Sequence, residues 1–173
     1  MDLNEEWRQY NDTPYWVSSQ GKIKRVYKSG NEKMLKPCVT YKGYLWVDII
    51  RNPKRIRGRL HVMVAKCFID NPDNKPFVDH INEQKDDNRV ANLRWATNGE
   101  NQRNITALRK TNTSGCVGIN SRKYKGEHVA WRVRISLDNK RIHIGDFETY
   151  DDAVKARRNA EIKYFGEYAP QRD

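Results

Sequence analysis

The chain has 173 residues, with 33 Lys and Arg against 22 Asp and Glu, a formal charge of +11. Hydrophobic residues are 37% and the mean hydropathy is −0.98, which argues against one large apolar core and for two or three small modules. No apolar run approaches the roughly 18 residues of a membrane span, and the start MDLNEEWRQY lacks the basic-then-apolar layout of a secretory signal, so a cytoplasmic protein is expected, with no membrane partner.

Residues 13–50 read as short strands. Tyr15-Trp16-Val17, Lys22 to Tyr27, Met34 to Tyr41 and Tyr44 to Ile50 are β-branched or aromatic runs, separated by turn signals at Gly21, Ser29-Gly30 and Lys42-Gly43. The stretch from Arg51 to Arg59 is too basic for a core element and reads as a loop or ribbon touching phosphates. Leu60 to Phe68 has helical spacing, and Asn71-Pro72 ends it. Residues 76–101 then follow a ββα order: a strand at Phe77-Val78-Asp79, a turn-rich loop, a strand at Leu93 to Ala96, and a helix from Thr97 with Glu100 three residues on.

Residues 102–113 read as a tether or an extension of that helix. Val117 to Ser121, Val129 to Leu137 and Arg141 to Phe147 alternate as three strands, with hairpin turns at Lys125-Gly126 and Asp138-Asn139. Thr149 opens a helix that Gly166 closes, with Ala153, Ala156, Ala160 and Tyr164 on one face. On strict alternation Trp131, Val133, Ile135, Ile142 and Ile144 face the helix, while Arg132, Arg134, Ser136, Arg141 and His143 face outward. The fold class expected is α+β: an N-terminal antiparallel β module over 1–59, a ββα core over 60–101, a linker over 102–113, and a three-stranded antiparallel sheet plus one helix over 114–173.

Charge is unevenly placed. Residues 22–66 hold 13 basic residues and two acids, residues 67–101 four and seven, and residues 102–173 fifteen and nine. Basic arms suit a polyanion, because each neutralised phosphate releases condensed counterions. A net-acidic stretch between them suits a hard divalent cation, which takes carboxylate and amide oxygens. Cys38, Cys67 and Cys116 are odd in number, widely spaced and without a C-x-x-C pair, so reduced thiols are expected rather than a disulfide framework or a four-cysteine zinc site.

The segment Val78-Asp79-His80-Ile81-Asn82, followed by Asp87-Asn88-Arg89, Asn92-Leu93-Arg94-Trp95 and Glu100-Asn101, resembles the HNH homing-endonuclease family of phages and introns. The helix Leu60-His61-Val62-Met63-Val64-Ala65-Lys66-Cys67-Phe68, with Asn71-Pro72 after it, is similar to the family's approach helix. Trp7 and Tyr15 to Ile23 resemble a short module often fused ahead of these nucleases. The resemblance implies a single-metal endonuclease acting on double-stranded DNA as a monomer or weak dimer, with Mg²⁺ or Mn²⁺ and no small-molecule cofactor. It makes His80 the general base, Asp79 and Asn101 the metal ligands, and Asn92 a cross-brace that orients His80. The products implied carry 5′-phosphate and 3′-OH.

Two residues depart from the family pattern: Val62 stands where an Arg is usual and Glu83 where a Gly is usual. If that turn needs a positive φ, Glu83 carries a backbone cost on the order of 1 kcal/mol. His61 reads as a packing or hydrogen-bonding residue, not a ligand.

Residues 114–169 resemble the Apetala-type DNA-binding domain of plant ethylene-response factors. The carriers are Gly118-Ile119, Trp131 to Ile135, Ile144 to Thr149 and the Ala-spaced helix. The resemblance implies a three-stranded sheet laid in the major groove, with Arg122, Tyr124, Arg141 and His143 where that family touches DNA. Val117, Asn120 and Ser136 replace further arginines, so no sequence preference carries over. Together with Arg132 and Arg134, and with Arg51, Lys54, Arg55, Arg57 and Arg59 of the basic ribbon, these form the candidate DNA contacts. A catalytically silent DNA-binding regulator built from the same modules is the alternative reading. An RNA-directed protein ranks below both, since neither an RNP aromatic motif nor a GXXG loop is present.

Overall fold

The computed structural model describes residues 5–51, 54–104, 108, 111–138 and 140–171. It is a mixed α+β structure of several small antiparallel sheets and few helices. The chain divides into two compact units, Met1–Asn98 and Gly99–Asp173.

In the first unit, β1 (Trp7–Gln9), β2 (Tyr15–Ser18), β3 (Ile23–Val26) and β4 (Glu32–Met34) form one antiparallel sheet in chain order. β5 (Cys38–Val39), β6 (Leu45–Arg51) and β7 (Lys54–Arg59) form a second. The single strand expected from Met34 to Tyr41 is therefore two short ones in different sheets. Pro37 lies between them, with no N–H for a ladder and a fixed φ. The basic stretch is a ribbon: Lys54–Arg59 pairs with β6 through Arg51↔Lys54 to Trp46↔Arg59. The two-residue period puts Arg55, Arg57 and Arg59 on one face and Ile56 and Gly58 on the other. Gly58 is needed there, because a Cβ would stand 2.8 Å from Met63 Sδ.

Helix α1 (Leu60–Phe68) follows directly and buries Leu60, His61, Met63, Val64 and Ala65. β8 (Phe77–His80) and β9 (Leu93–Ala96) form a two-stranded hairpin, and Trp95 Nε1 donates to the Ile69 carbonyl at 2.9 Å. One core joins Tyr15, Val17 and Ile23, Val47 and Ile49, Leu60 to Ala65, and Val78 and Leu93. The N-terminal sheets, α1 and the β8–β9 hairpin thus share an apolar interior. Helix α2 (Asn98–Arg103) begins at the division between units.

In the second unit, β10 (Ile119–Tyr124), β11 (Glu127–Leu137) and β12 (Lys140–Phe147) form a three-stranded antiparallel sheet, covered on one face by α3 (Tyr150–Phe165). Lys125 and Gly126 both take positive φ, 50° and 90°, as a two-residue hairpin of right-handed twist demands. Thr149 caps α3 by accepting from the Asp152 N–H, and Gly166 ends it at φ 55°. Trp131, Val133, Ile135, Ile142 and Ile144 all pack in the cores beneath α3.

The helix face differs from the expected alanine stripe. Ala153 and Ala160 are buried, but Arg157 and Glu161 are buried with them, and Ala156 and Tyr164 are only half-buried. Arg157 Nε donates to Glu161 Oε1 at 2.9 Å, and its Nη1 donates to the Arg134 carbonyl. Gly118, at φ +79°, makes the room: a Cβ there would stand 2.6 Å from Arg157 Nη1. A buried ion pair stays only where its remaining donors are satisfied, and breaking one costs about 3–5 kcal/mol. Arg157→Met should therefore take from buried Glu161 its guanidinium partner and lower the thermal midpoint of the second unit. Arg157→Met with Glu161→Leu should recover most of the loss in a thermal melt followed by circular dichroism.

Candidate functional site

Asp79 and His80 end β8, and both side chains are buried, at 6% and 4% exposure. The register sets Asp79 opposite Arg94 and His80 opposite Leu93. Arg94 donates to Asp79 Oδ2 from Nε at 3.0 Å and Nη2 at 2.8 Å, which fixes the carboxylate's orientation at the strand end. Among the described residues no three His, Cys, Asp or Glu side chains cluster as a metal centre. A cation held at Asp79 would rest on mixed oxygen donors, and the carboxylate and carboxamide implied by the resemblance fit a hard divalent ion of that kind. Asn101 lies half-buried on α2, in the second unit.

His80 Nε2 lies 2.9 Å from Asn88 Oδ1. With an amide oxygen as acceptor, Nε2 carries the proton and the neutral ring keeps its lone pair on Nδ1. Burial lowers the His80 pKa below the ordinary imidazole value, against the pull of Asn88 and of Asp79, Asp87 and Asp86. The ring is neutral at pH 7, as a proton acceptor must be.

Asn92 closes the loop between the strands. Its Oδ1 accepts from the Asn82 N–H at 3.0 Å, its Nδ2 donates to the Asp87 carbonyl at 2.8 Å, and its own carbonyl accepts from the Ile81 N–H at 2.9 Å. Arg89 is gripped side-on by Asp87, at 2.8 and 2.7 Å. Glu83 sits at φ 61°, the left-handed conformation that the usual glycine would take freely.

Sequence reasoning left Asn88 and Gly21 without a role in this site and read His61 as a packing or hydrogen-bonding residue, which its buried ring contacts match. Asn88 holds the imidazole. Gly21 presses on Asn88 from the N-terminal module: a Cβ there would stand 2.7 Å from the Asn88 carbonyl carbon, and beside it the Val90 N–H donates to the Ser19 carbonyl at 2.9 Å. His61, 3% exposed, lies with its ring 5.0 Å from the His80 ring and 5.2 Å from Tyr44. Desolvation, with His80 and Arg59 nearby, lowers its pKa to about 3. Asn88 was legible as part of the D-N-R motif, whereas nothing local marks Gly21 as a neighbour of Asn88 or His61 as a neighbour of His80.

The candidate DNA contacts fall on two separate surfaces, one in each unit. On β7, Arg55, Arg57 and Arg59 are exposed; Arg57 stacks 3.7 Å from the Trp46 ring centroid and Arg55 pairs with Asp48 at 2.6 Å. The side chains of Arg51 and Lys54 lie outside the described residues. On the second unit's sheet, Arg122, Arg141 and His143 are exposed and Arg132 and Arg134 are half-buried. The Tyr124 side chain lies outside the described residues. Arg122, Arg132 and His143 converge on Asp146. No disulfide joins Cys38, Cys67 or Cys116, and no described helix is long and apolar enough to cross a membrane.

The HNH endonuclease family profile matches residues 61–103, and the NUMOD4 motif matches residues 5–50. The DNA endonuclease I-HmuI of Bacillus phage SP01 is 30% identical over 123 residues, covering 68% of this chain and 69% of that protein. The chain belongs to the HNH endonuclease family. The uncharacterized HNH endonucleases L245 and L247 of Acanthamoeba polyphaga mimivirus are 36% and 38% identical over 91 and 92 residues, 53% and 50% of this chain. This HNH chain spans 27% and 22% of those two relatives. A solved structure of the homing endonuclease I-HmuI, described for DNA binding and cleavage, has 32% identity and a TM-score of 0.48, over 53% of this chain and 52% of that one.

Two measurements test the site's construction. Gly21→Ala should cost about 2 kcal/mol or more, from a strained φ and a backbone clash, read as a lower urea midpoint. His61 is neutral in the fold but titrates near 6.5 when unfolded, so its stabilisation is complete above pH 6.5 and is lost as pH falls from there towards 3. Stability should drop by about 2 kcal/mol between pH 7 and pH 5, with His80 acting in the same direction. His61→Gln should flatten that dependence when unfolding is followed by tryptophan fluorescence.

Proposed function

We propose that this HNH chain is a divalent-metal-dependent endonuclease of double-stranded DNA, of the homing type. The observation that carries the reading is the buried His80 with Nε2 2.9 Å from Asn88 Oδ1, next to Asp79 at the end of β8. His80 Nδ1 takes the proton from the attacking water. Asp79 would hold the cation through oxygen, and the resemblance alone makes Asn101 the second residue that would do so. When bound, Mg²⁺ or Mn²⁺ supplies charge neutralisation at the scissile phosphate and stabilisation of the leaving oxygen. Arg94 keeps the Asp79 carboxylate oriented, and Asn92 keeps the loop carrying Asn88 in register with the strand.

The ribbon of Arg55, Arg57 and Arg59 grips phosphates on one stretch of duplex. The second unit grips another through the outward face of its sheet, and its residues resemble the ethylene-response-factor reader. A three-stranded sheet backed by one helix, with Arg122, Arg132, Arg134, Arg141 and His143 away from the helix, supports that use. One site per chain makes a nick the default product, with 5′-phosphate and 3′-OH ends.

Supercoiled plasmid incubated with Mg²⁺ or Mn²⁺ should be nicked or linearised, and EDTA should stop the reaction. Cleavage that persists unchanged in EDTA refutes the one-metal mechanism. His80→Ala should lose cleavage by several orders of magnitude and still shift DNA in a gel. A parent protein that shifts DNA but never cuts under any divalent metal is the silent regulator instead. Arg134→Ala with Arg141→Ala should weaken binding and flatten its dependence on salt concentration.

A further inference from the structure

Asp146 is the hub of the second unit's outward face. It stands directly across from Arg132 in the ladder of β11 and β12. Arg132 grips it side-on, Nε to Oδ1 at 2.8 Å and Nη2 to Oδ2 at 2.9 Å. Arg122 reaches from β10 to donate from Nη1 to Oδ2 at 2.9 Å, and His143 Nε2 lies 3.2 Å from Oδ1.

A bulge places the carboxylate there. Strict alternation along β12 sets Asp146 on the same side as Ile144 and Ile142, beneath α3. The register instead steps from Val133↔Gly145 to Arg134↔His143, with Ile144 as the extra residue. Ile144 and Ile142 both stay in the core, while Asp146 and His143 come onto one face three residues apart. Bulges re-aim side chains in this way.

Stability alone gives a modest reason for the arrangement, since a partly exposed ion pair contributes little to folding and a bidentate network somewhat more. Phosphate attraction gives less, because a carboxylate among arginines weakens the field felt by a polyanion. Orientation accounts for it. A side-on grip uses Nε and one N–H of Nη2, and leaves Arg132 its end-on fork: Nη1 and the second N–H of Nη2. That fork matches guanine O6 and N7 in the major groove, and a guanidinium already held in place loses less freedom on binding.

We propose that Asp146 is a positioning residue that presents Arg132 as a guanine-reading fork, with Arg122 held beside it. The proposal rests on the reading that this sheet lies on duplex DNA. The test is selection of the full chain, in EDTA so that nothing is cut, against a pool of randomised duplexes, with dissociation constants measured across a salt series. The parent should enrich guanine at a fixed position. Asp146→Asn should bind random DNA at least as tightly as the parent, yet lose about tenfold of the guanine preference, the scale of one bidentate contact. Arg132→Lys should lose the same preference with the salt slope unchanged, because a lysine keeps the charge without the fork.

If Asp146→Asn selects guanine as strongly as the parent while Arg132→Ala still weakens binding, Arg132 is a phosphate contact and the proposal fails with the DNA-binding reading intact. If Arg132→Ala and the Arg134→Ala, Arg141→Ala pair leave affinity and salt slope unchanged, the sheet is off the DNA and both fail.

Discussion

The hydrogen bond between His80 Nε2 and Asn88 Oδ1 organises the first unit. It chooses the imidazole's tautomer, and through it the atom that can accept a proton. Its geometry is set from several directions. Asn92 ties the loop to the strand through three hydrogen bonds. The Gly21 turn packs against the Asn88 backbone so closely that no side chain fits between them. The N-terminal sheet is therefore a wall of the site, and the shared core of Tyr15, Ile23, Leu60, Val78 and Leu93 keeps that wall in place.

A second constraint recurs among the ion pairs. Arginines of this strongly basic chain are repeatedly anchored on a carboxylate, among them Arg8 on Glu6, Arg103 on Asp138, Arg122 on Asp146, Arg157 on Glu161, Arg55 on Asp48, Arg89 on Asp87, Arg94 on Asp79 and Arg132 on Asp146. In the last three, Nε and Nη2 both engage the acid, so the remaining edge of the guanidinium points in a defined direction. Net charge draws a polyanion in from a distance, whereas a guanidinium already held in one orientation loses less freedom when it pairs with a ligand. The acids scattered through the basic arms trade some of the first for the second.

Much of the secondary structure was legible because it is local. The helix over Leu60–Phe68, the strand over Leu93–Ala96, and the Thr149 cap with its Gly166 terminus all lie where spacing and capping put them. The strand through Pro37 failed for an equally local reason that the aromatic run concealed. The Asp79-His80 pair stood out as a motif. Its surroundings did not: His61 and Gly21 meet His80 and Asn88 only after the chain has folded back on itself. The burial of Arg157 and Glu161 beside Ala153 and Ala160 shows only once the Arg134 carbonyl is known to receive the guanidinium.

The order of helices and strands, the basic arms around an acidic centre, and the chemical identity of the carboxylate, imidazole and amide groups were determined by the sequence alone. Each depends on neighbours a few residues apart, or on composition. The protonated nitrogen of His80, the buried ion pair under α3 and the face on which Asp146 stands were decided by the tertiary structure. Each turns on one hydrogen bond, one bulge or one close backbone approach between distant segments, and a side-chain pattern of period two or 3.6 carries no information about those.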